Sequence, residues 1–212
     1  MNADGIAASY RWLEYAAFGR ELERARFDYL DRASDARRVL ILGEGDGRFL
    51  ARLLETNRWA QVEVVESSGR MIELARRRVP ASDRARVEFH RMNAAADPLP
   101  DGPFDLVVTH FFLDILTACE AEAAVSKASA LLSPGGAWLL SEFQVPGARA
   151  GELHARAWLA AMYAFFSIAT GLEASKLPEY RRMLERCGLA EAEHRERRWG
   201  LIRSQVWRKS AV

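Results

Sequence analysis

Residues 38–47 read RVLILGEGDG, an apolar run that ends in three glycines within five positions. A short apolar run bounded by glycine is the pattern of a buried strand. Glycine has no Cβ and reaches positive φ, so a turn built on Gly43, Gly45 and Gly47 lets the backbone come close to a ligand. Residues 48–54 continue as a helix, and the first turn of a helix offers free N–H groups. A strand, a glycine-rich turn and a helix in immediate succession form the usual ligand crevice of an α/β sheet.

The rest of the chain repeats that rhythm. Apolar or alternating runs at 61–66 (QVEVVE), 86–91 (RVEFHR), 104–109 (FDLVVT) and 137–143 (AWLLSEF) read as further strands. Helices are expected at 70–79, ended by Pro80, and at 121–132, closed by Ser133-Pro134-Gly135-Gly136; 98–103 is a turn-rich loop. Strands alternating with helical segments predict right-handed βαβ units and a mostly parallel sheet with helices on both faces. The rhythm changes after Pro146-Gly147. A long apolar helical region covers 152–171, a helix follows at 180–186, and strands near 190–198 and 201–208 meet at Trp199-Gly200 as a hairpin. The expected organisation is one domain with a helical lid at 1–35, a ligand-binding core at 36–145, a helical insert at 146–188 and a terminal hairpin at 189–212.

Composition removes several function classes. The chain has 212 residues, and 30 basic residues stand against 29 acidic ones, which argues against a nucleic-acid partner. The arginines at 195, 197 and 198 are interleaved with acids and read as a solvated face. The longest apolar run, 157–169, is shorter than the roughly 20 residues a bilayer needs, so no stable membrane insertion is expected. No targeting segment is visible near residues 1–6, and a cytoplasmic location is the default. Cys119 and Cys187 lie far apart with no metal-ligand spacing near them, which predicts reduced buried thiols and no metal site.

Spacing decides what the glycine turn holds. A dinucleotide fingerprint is G-x-G-x-x-G, and here the position of the third glycine is Arg48. Glu66 ends the second strand, 23 positions after Gly43, where an acid can accept hydrogen bonds from a ribose diol. VLILGEGDGRFL (39–50) resembles the cofactor loop of the class I S-adenosylmethionine-dependent methyltransferases. VEVVESSGRMIELARRR (62–78), FHRMNAAADPLP (89–100), FDLVVTHFFLDIL (104–116) and LLSPGGAWLLSEF (131–143) resemble that family's later segments, in its order.

The resemblance implies a Rossmann-like α/β fold with a seven-stranded sheet and a C-terminal antiparallel hairpin. It implies S-adenosylmethionine as cofactor, with S-adenosylhomocysteine as product. Gly43, Glu44, Gly45 and Gly47 would line the methionine part, and Glu66 would hold the ribose. Ser67 and Met71 would flank the adenosine, Asn93 and Ala94 the adenine. Thr109, His110 and Phe111 would lie beside the sulfonium. One departure stands out: many members place an acid two residues before the first glycine, and here that residue is Ile41.

Methyl transfer needs a base only when the acceptor must lose a proton. His110 and Asp114, in the loop after strand four, are the candidates for that catalytic role. The aromatic residues near the N-terminus suggest that Tyr10 or Tyr15 closes over the methionine end. Trp158, Met162 and Phe166 belong to a segment apolar nearly all round, which must be buried on several sides or cover an apolar ligand. With that, the expected partner is a small, hydrophobic or aromatic acceptor, and the chain is a monomer or a homodimer. The rivals are a non-catalytic S-adenosylmethionine-binding interaction protein and an NAD(P)-dependent oxidoreductase. The latter is opposed by Arg48 and by the lack of a Tyr-x-x-x-Lys motif.

Overall fold

A computed structural model of the chain describes residues 20–144 and 178–211. The proposed lid residues Tyr10 and Tyr15 and the proposed acceptor-pocket residues Trp158, Met162 and Phe166 lie outside the described residues.

Seven strands form one sheet: β1 Arg38–Leu42, β2 Gln61–Glu66, β3 Val87–Arg91, β4 Phe104–His110, β5 Leu132–Phe143, β6 Leu189–Arg197 and β7 Ile202–Lys209. Their order is β3-β2-β1-β4-β5-β7-β6. The first five are parallel, and β7 runs antiparallel between β5 and β6. The helices are α1 Glu21–Phe27, α2 Arg48–Thr56, α3 Gly69–Arg78, α4 Ala118–Leu131 and α5 Tyr180–Arg186. The chain leaves β1 toward β2 on one side and reaches β4 on the other, so the sheet's switch point lies at the carboxyl ends of β1 and β4.

The unbroken apolar character of the central strands follows from burial on both faces. Val39, Ile41, Leu106 and Val108 pack with Phe49, Leu50 and Leu53 of α2. Leu40, Leu42, Val107 and Trp138 pack on the other face with Ala121, Val125 and Ala128 of α4 and Leu184 of α5. Ile41, at the position where an acid was looked for, is a core residue with 2% exposure. Asn57 closes α2 against this core: its Nδ2 donates to the carbonyls of Ala33 and Ala36, and its Oδ1 accepts from Trp59 and Ala60.

As the turn-rich stretch 98–103 implied, the third crossover carries no helix: residues 92–103 pass from β3 to β4 as a loop. Other details differ from the sequence expectation. Strand five begins at Leu132, and Ser133-Pro134-Gly135-Gly136 becomes an irregularity in the β4–β5 ladder. Cys119 is exposed, so only Cys187 is even partly buried. The basic hairpin is also more than a solvated face: Arg195 and Arg197 hold Asp28, just beyond α1, at 2.8 and 2.5 Å. Burial works against that carboxylate, but the hydrogen bonds from Arg197 and Arg195 outweigh it and hold it below its usual range. The carbonyl of Ala25 accepts from Ser141 and Ser204, which seats α1 on β5 and β7. Among the described residues no helix is long and apolar enough to cross a membrane.

Candidate functional site

The site is built where β1, β2 and β4 end. Gly43, Gly45 and Gly47 all take positive φ, at +69°, +69° and +87°. Their neighbours differ. A Cβ on Gly43 would meet the Phe112 ring at 2.3 Å, and one on Gly47 would meet the Ala75 backbone at 2.5 Å. A Cβ on Gly45 would meet nothing within 4 Å. Gly43 and Gly47 are therefore glycine to admit protein, while Gly45 faces the open space that a ligand lying on the loop would fill.

Glu66 closes the loop from β2. Its Oε2 accepts the Gly45 N–H at 3.2 Å, and its Oε1 accepts the Ser68 N–H at 2.9 Å. Burial raises its pKa in spite of those N–H donors. The Ser67 N–H and hydroxyl also donate to it, so its roughly four acceptor positions are engaged, and the hydroxyl of exposed Ser67 is the donor that a diol would replace. Ser68, absent from the sequence-based set, caps α3 by accepting the Met71 N–H at 3.2 Å. Ser67 is exposed beside it and Met71 is buried.

Glu44 has a structural task. The residue before α2 is Gly47, which has no side chain with which to cap it, and Glu44 reaches back to accept the Leu50 N–H at 3.0 Å. Loss of water around the carboxyl pushes its pKa up to about 8. On the β3 side, Asn93 forms a turn with Oδ1 accepting the Ala95 and Ala96 N–H groups, while Ala94 is buried in the core. The Asn93 amide thus has its oxygen engaged and its Nδ2 without a partner among the described residues.

Strand β4 separates its candidates by face. Thr109 is fully buried and accepts the Trp138 Nε1–H at 2.9 Å, so its side chain belongs to the core and not to the ligand side. His110 points the other way, edge-on to Phe49 with ring centroids 4.7 Å apart. Both its ring nitrogens are shielded from water and have no hydrogen-bond partner among the described residues. Burial, assisted by the Arg26 charge, drives its pKa down to about 3. An imidazole whose shielded nitrogens find no partner among the described residues, at the end of the switch-point strand, fits a site that takes a hydrogen-bonding ligand.

Phe111 takes φ +54°, which costs a non-glycine residue of order 1–3 kcal/mol and directs the chain out of the strand. Its ring packs on Phe143 and lies under the Arg26 guanidinium, 5.2 Å from the centroid. The loop that follows is held from β5. Glu142 is fully buried and accepts the N–H groups of Phe112 at 3.2 Å, Leu113 at 2.9 Å and Asp114 at 3.2 Å. Asp114, only 2% exposed, hydrogen-bonds Glu142 through its own carboxyl. Burial raises the Asp114 pKa to about 7, and burial with the Asp114 charge raises Glu142 well above its ordinary value. Two buried carboxyls in contact hold a proton between them. These surroundings are not those of an exposed base facing an acceptor, and the helix after the loop is capped by Thr117 and Glu120 instead.

Glu142 and Arg26 were not among the sequence candidates. A lone acid inside the buried run AWLLSEF was the available signal for Glu142. Nothing in the local sequence marks Arg26, whose place depends on how α1 docks.

Residues 39–136 match a methyltransferase domain family. The ubiquinone/menaquinone biosynthesis C-methyltransferase UbiE of Methylobacterium nodulans is 33% identical over 114 residues, covering 52% of this chain and 44% of the relative. A demethylmenaquinone methyltransferase of Thermus thermophilus is 31% identical over 131 residues, covering 61% and 58%. The chain spans about half the length of the curated relatives it matches. Among solved structures, the N-methyltransferase NodS from Bradyrhizobium japonicum, in complex with S-adenosylhomocysteine, superimposes with TM-score 0.64 at 18% identity, covering 89% of this chain and 88% of that one. An O-methyltransferase family protein from Burkholderia thailandensis gives TM-score 0.66 at 21% identity over 97% and 71%. These two share the fold.

Proposed function

We propose that this chain, whose residues 39–136 match a methyltransferase domain family, is a class I S-adenosylmethionine-dependent methyltransferase that transfers a methyl group from S-adenosylmethionine to a small, hydrophobic or aromatic acceptor. The observation that carries the reading is the loop at Gly45, open above and hydrogen-bonded to Glu66. The relatives include enzymes named for quinone biosynthesis and a malonyl-[acyl-carrier protein] O-methyltransferase, which favours a small acceptor over nucleic acid.

Bound S-adenosylmethionine supplies a methyl group already activated on a sulfonium. The residues of this chain then have three tasks. Glu66 accepts the ribose hydroxyls while it holds the Gly45 N–H, so cofactor and loop share one anchor. The Asn93 turn and Ala94 bound the adenine end, with Ser67 and Met71 beside the adenosine. His110 completes the sulfonium side with Phe111.

A neutral imidazole with a pKa of about 3 is a weak proton acceptor. We assign His110 to orienting the acceptor by hydrogen bonding in a site shielded from water, where near-attack geometry supplies much of the rate. Asp114 and Glu142 position the loop carrying Phe111 and Phe112.

The test is release of labelled S-adenosylhomocysteine over a panel of quinols, phenols, fatty acids and amines. Turnover on an apolar member that falls at least about tenfold in Glu66→Ala supports the proposal. Binding of the cofactor without turnover on any member favours the interaction-protein reading.

A further inference from the structure

The outer wall of the glycine loop borders a cleft of about 620 Å³ between α1, α2 and the end of α3. Five arginines line it: Arg20 and Arg24 from the α1 side, Arg48 and Arg52 from α2, and Arg78 from α3. Glu23 is the one acid among its described lining residues, and Phe27 adds an apolar patch. Five guanidinium groups and one carboxylate thus line a space of ligand size, while Asp46, Glu21 and Glu55 pair with four of those arginines from outside the lining.

The arginines already show convergence on an anion. Arg48 Nε donates to Oδ1 of Asp46 at 2.9 Å, and Arg78 Nη2 donates to Oδ2 at 2.9 Å. The other acids nearby are weak competitors. Arg24 pairs with Glu21 at 2.8 Å and Arg52 with Glu55 at 2.6 Å, both within one helix turn on exposed side chains. Such pairs are worth about 0–1 kcal/mol. Arg24 and Arg52 each use one of their five guanidinium donors in these pairs. Arginine forks match the oxygens of phosphate in bidentate fashion, and several around one cleft suit a ligand with more than one negative charge.

We propose that this cleft is a binding site for a phosphate-bearing small molecule with at least two negative charges, separate from the ligand side of the glycine loop. The site requires no cofactor, so its test is independent of methyl transfer. Inorganic pyrophosphate is titrated into the full chain by calorimetry at low salt, beside sodium chloride of matched ionic strength. Vesicles carrying a phosphoinositide headgroup form a second arm that separates a lipid source from a soluble one. Saturable pyrophosphate binding is expected, weakened at least about tenfold in the double variant Arg24→Gln, Arg52→Gln and shifted toward weaker affinity by added salt. Saturable binding to the vesicles, weakened by the same substitutions, would support the same site with a headgroup as its source. Arg52→Lys tests the fork separately, since it keeps the charge and is expected to recover only part of the affinity. Equal affinity in wild type and the folded double variant, or no effect beyond that of sodium chloride in either arm, would overturn the proposal.

Discussion

Replacing Gly45 and Gly47 by alanine, one at a time, separates ligand contact from packing. Both positions have positive φ, and a left-handed alanine costs roughly 1–2 kcal/mol. At Gly45 nothing else is added, because the new methyl meets no atom within 4 Å. At Gly47 the methyl lies 2.5 Å from Ala75 Cα and 2.9 Å from Ala75 Cβ, so α3 must shift away from the loop. Overpacking of this kind adds about 1–3 kcal/mol. For a chain of this size 1 kcal/mol moves the unfolding midpoint by roughly 2–4 °C. Gly45→Ala should thus lower the midpoint by about 2–8 °C, and Gly47→Ala by about twice as much. Binding should invert that order once compared among folded molecules. The Gly45 methyl occupies the space above the loop, and S-adenosylhomocysteine affinity should fall at least about tenfold, about 1.4 kcal/mol. Calorimetric titration and thermal unfolding of the two variants read both quantities. A Gly45→Ala protein that binds as tightly as wild type would refute the placement of the cofactor against Gly45. Equal stability of the two variants would refute the packing argument at Gly47.

Other predictions rest on buried polar groups. Asn57→Ala deprives four backbone groups of their partners and should lower stability by about 2–4 kcal/mol, read as a shift in denaturant midpoint at constant slope. Glu142→Ala leaves the N–H groups of Phe112, Leu113 and Asp114 unanswered, and a cost of about 2–4 kcal/mol with weakened cofactor binding is expected. The pH profile of stability should fall on both sides. The folded-state pKa of Glu44 is raised to about 8 and that of Asp114 to about 7, so the folded chain binds more protons than the unfolded one and stability is lost as pH rises from about 4.5 to 8. His110 is lowered to about 3, so its contribution is lost as pH falls below about 6.5. Thermal unfolding of Glu44→Gln across that range should show a flatter alkaline side, and an unchanged one would contradict its burial.

How much of this was legible in the sequence depended on whether the signal was local. The run Arg38–Leu42 and the three glycines specified strand, turn and helix start within ten residues, and all three form as read. The hairpin at Trp199-Gly200 was equally local. The helix expected at 121–132 starts earlier, at Ala118, because Thr117 and Glu120 make a capping box that the apolar periodicity does not reveal. Site residues were legible where the backbone defines them, as at Glu66 on the end of β2. They were not legible where two distant strands meet. Thr109 and His110 are neighbours in sequence, yet strand alternation sends one into Trp138 and the other toward Phe49. The Asp114–Glu142 contact joins positions 28 apart and depends on the β4–β5 register. Arg26 reaches the site only because Asp28 is held by a hairpin some 170 residues later in the chain.

The central claim is that the β1 loop and Glu66 hold S-adenosylmethionine. Calorimetric titration of the full chain with S-adenosylhomocysteine and, in parallel, with NAD tests it most directly. The account predicts one saturable site for S-adenosylhomocysteine, weakened at least about tenfold by Glu66→Gln through loss of the charged acceptor for the ribose hydroxyls. Tighter binding of NAD, or S-adenosylhomocysteine affinity untouched by Glu66→Gln, would contradict it.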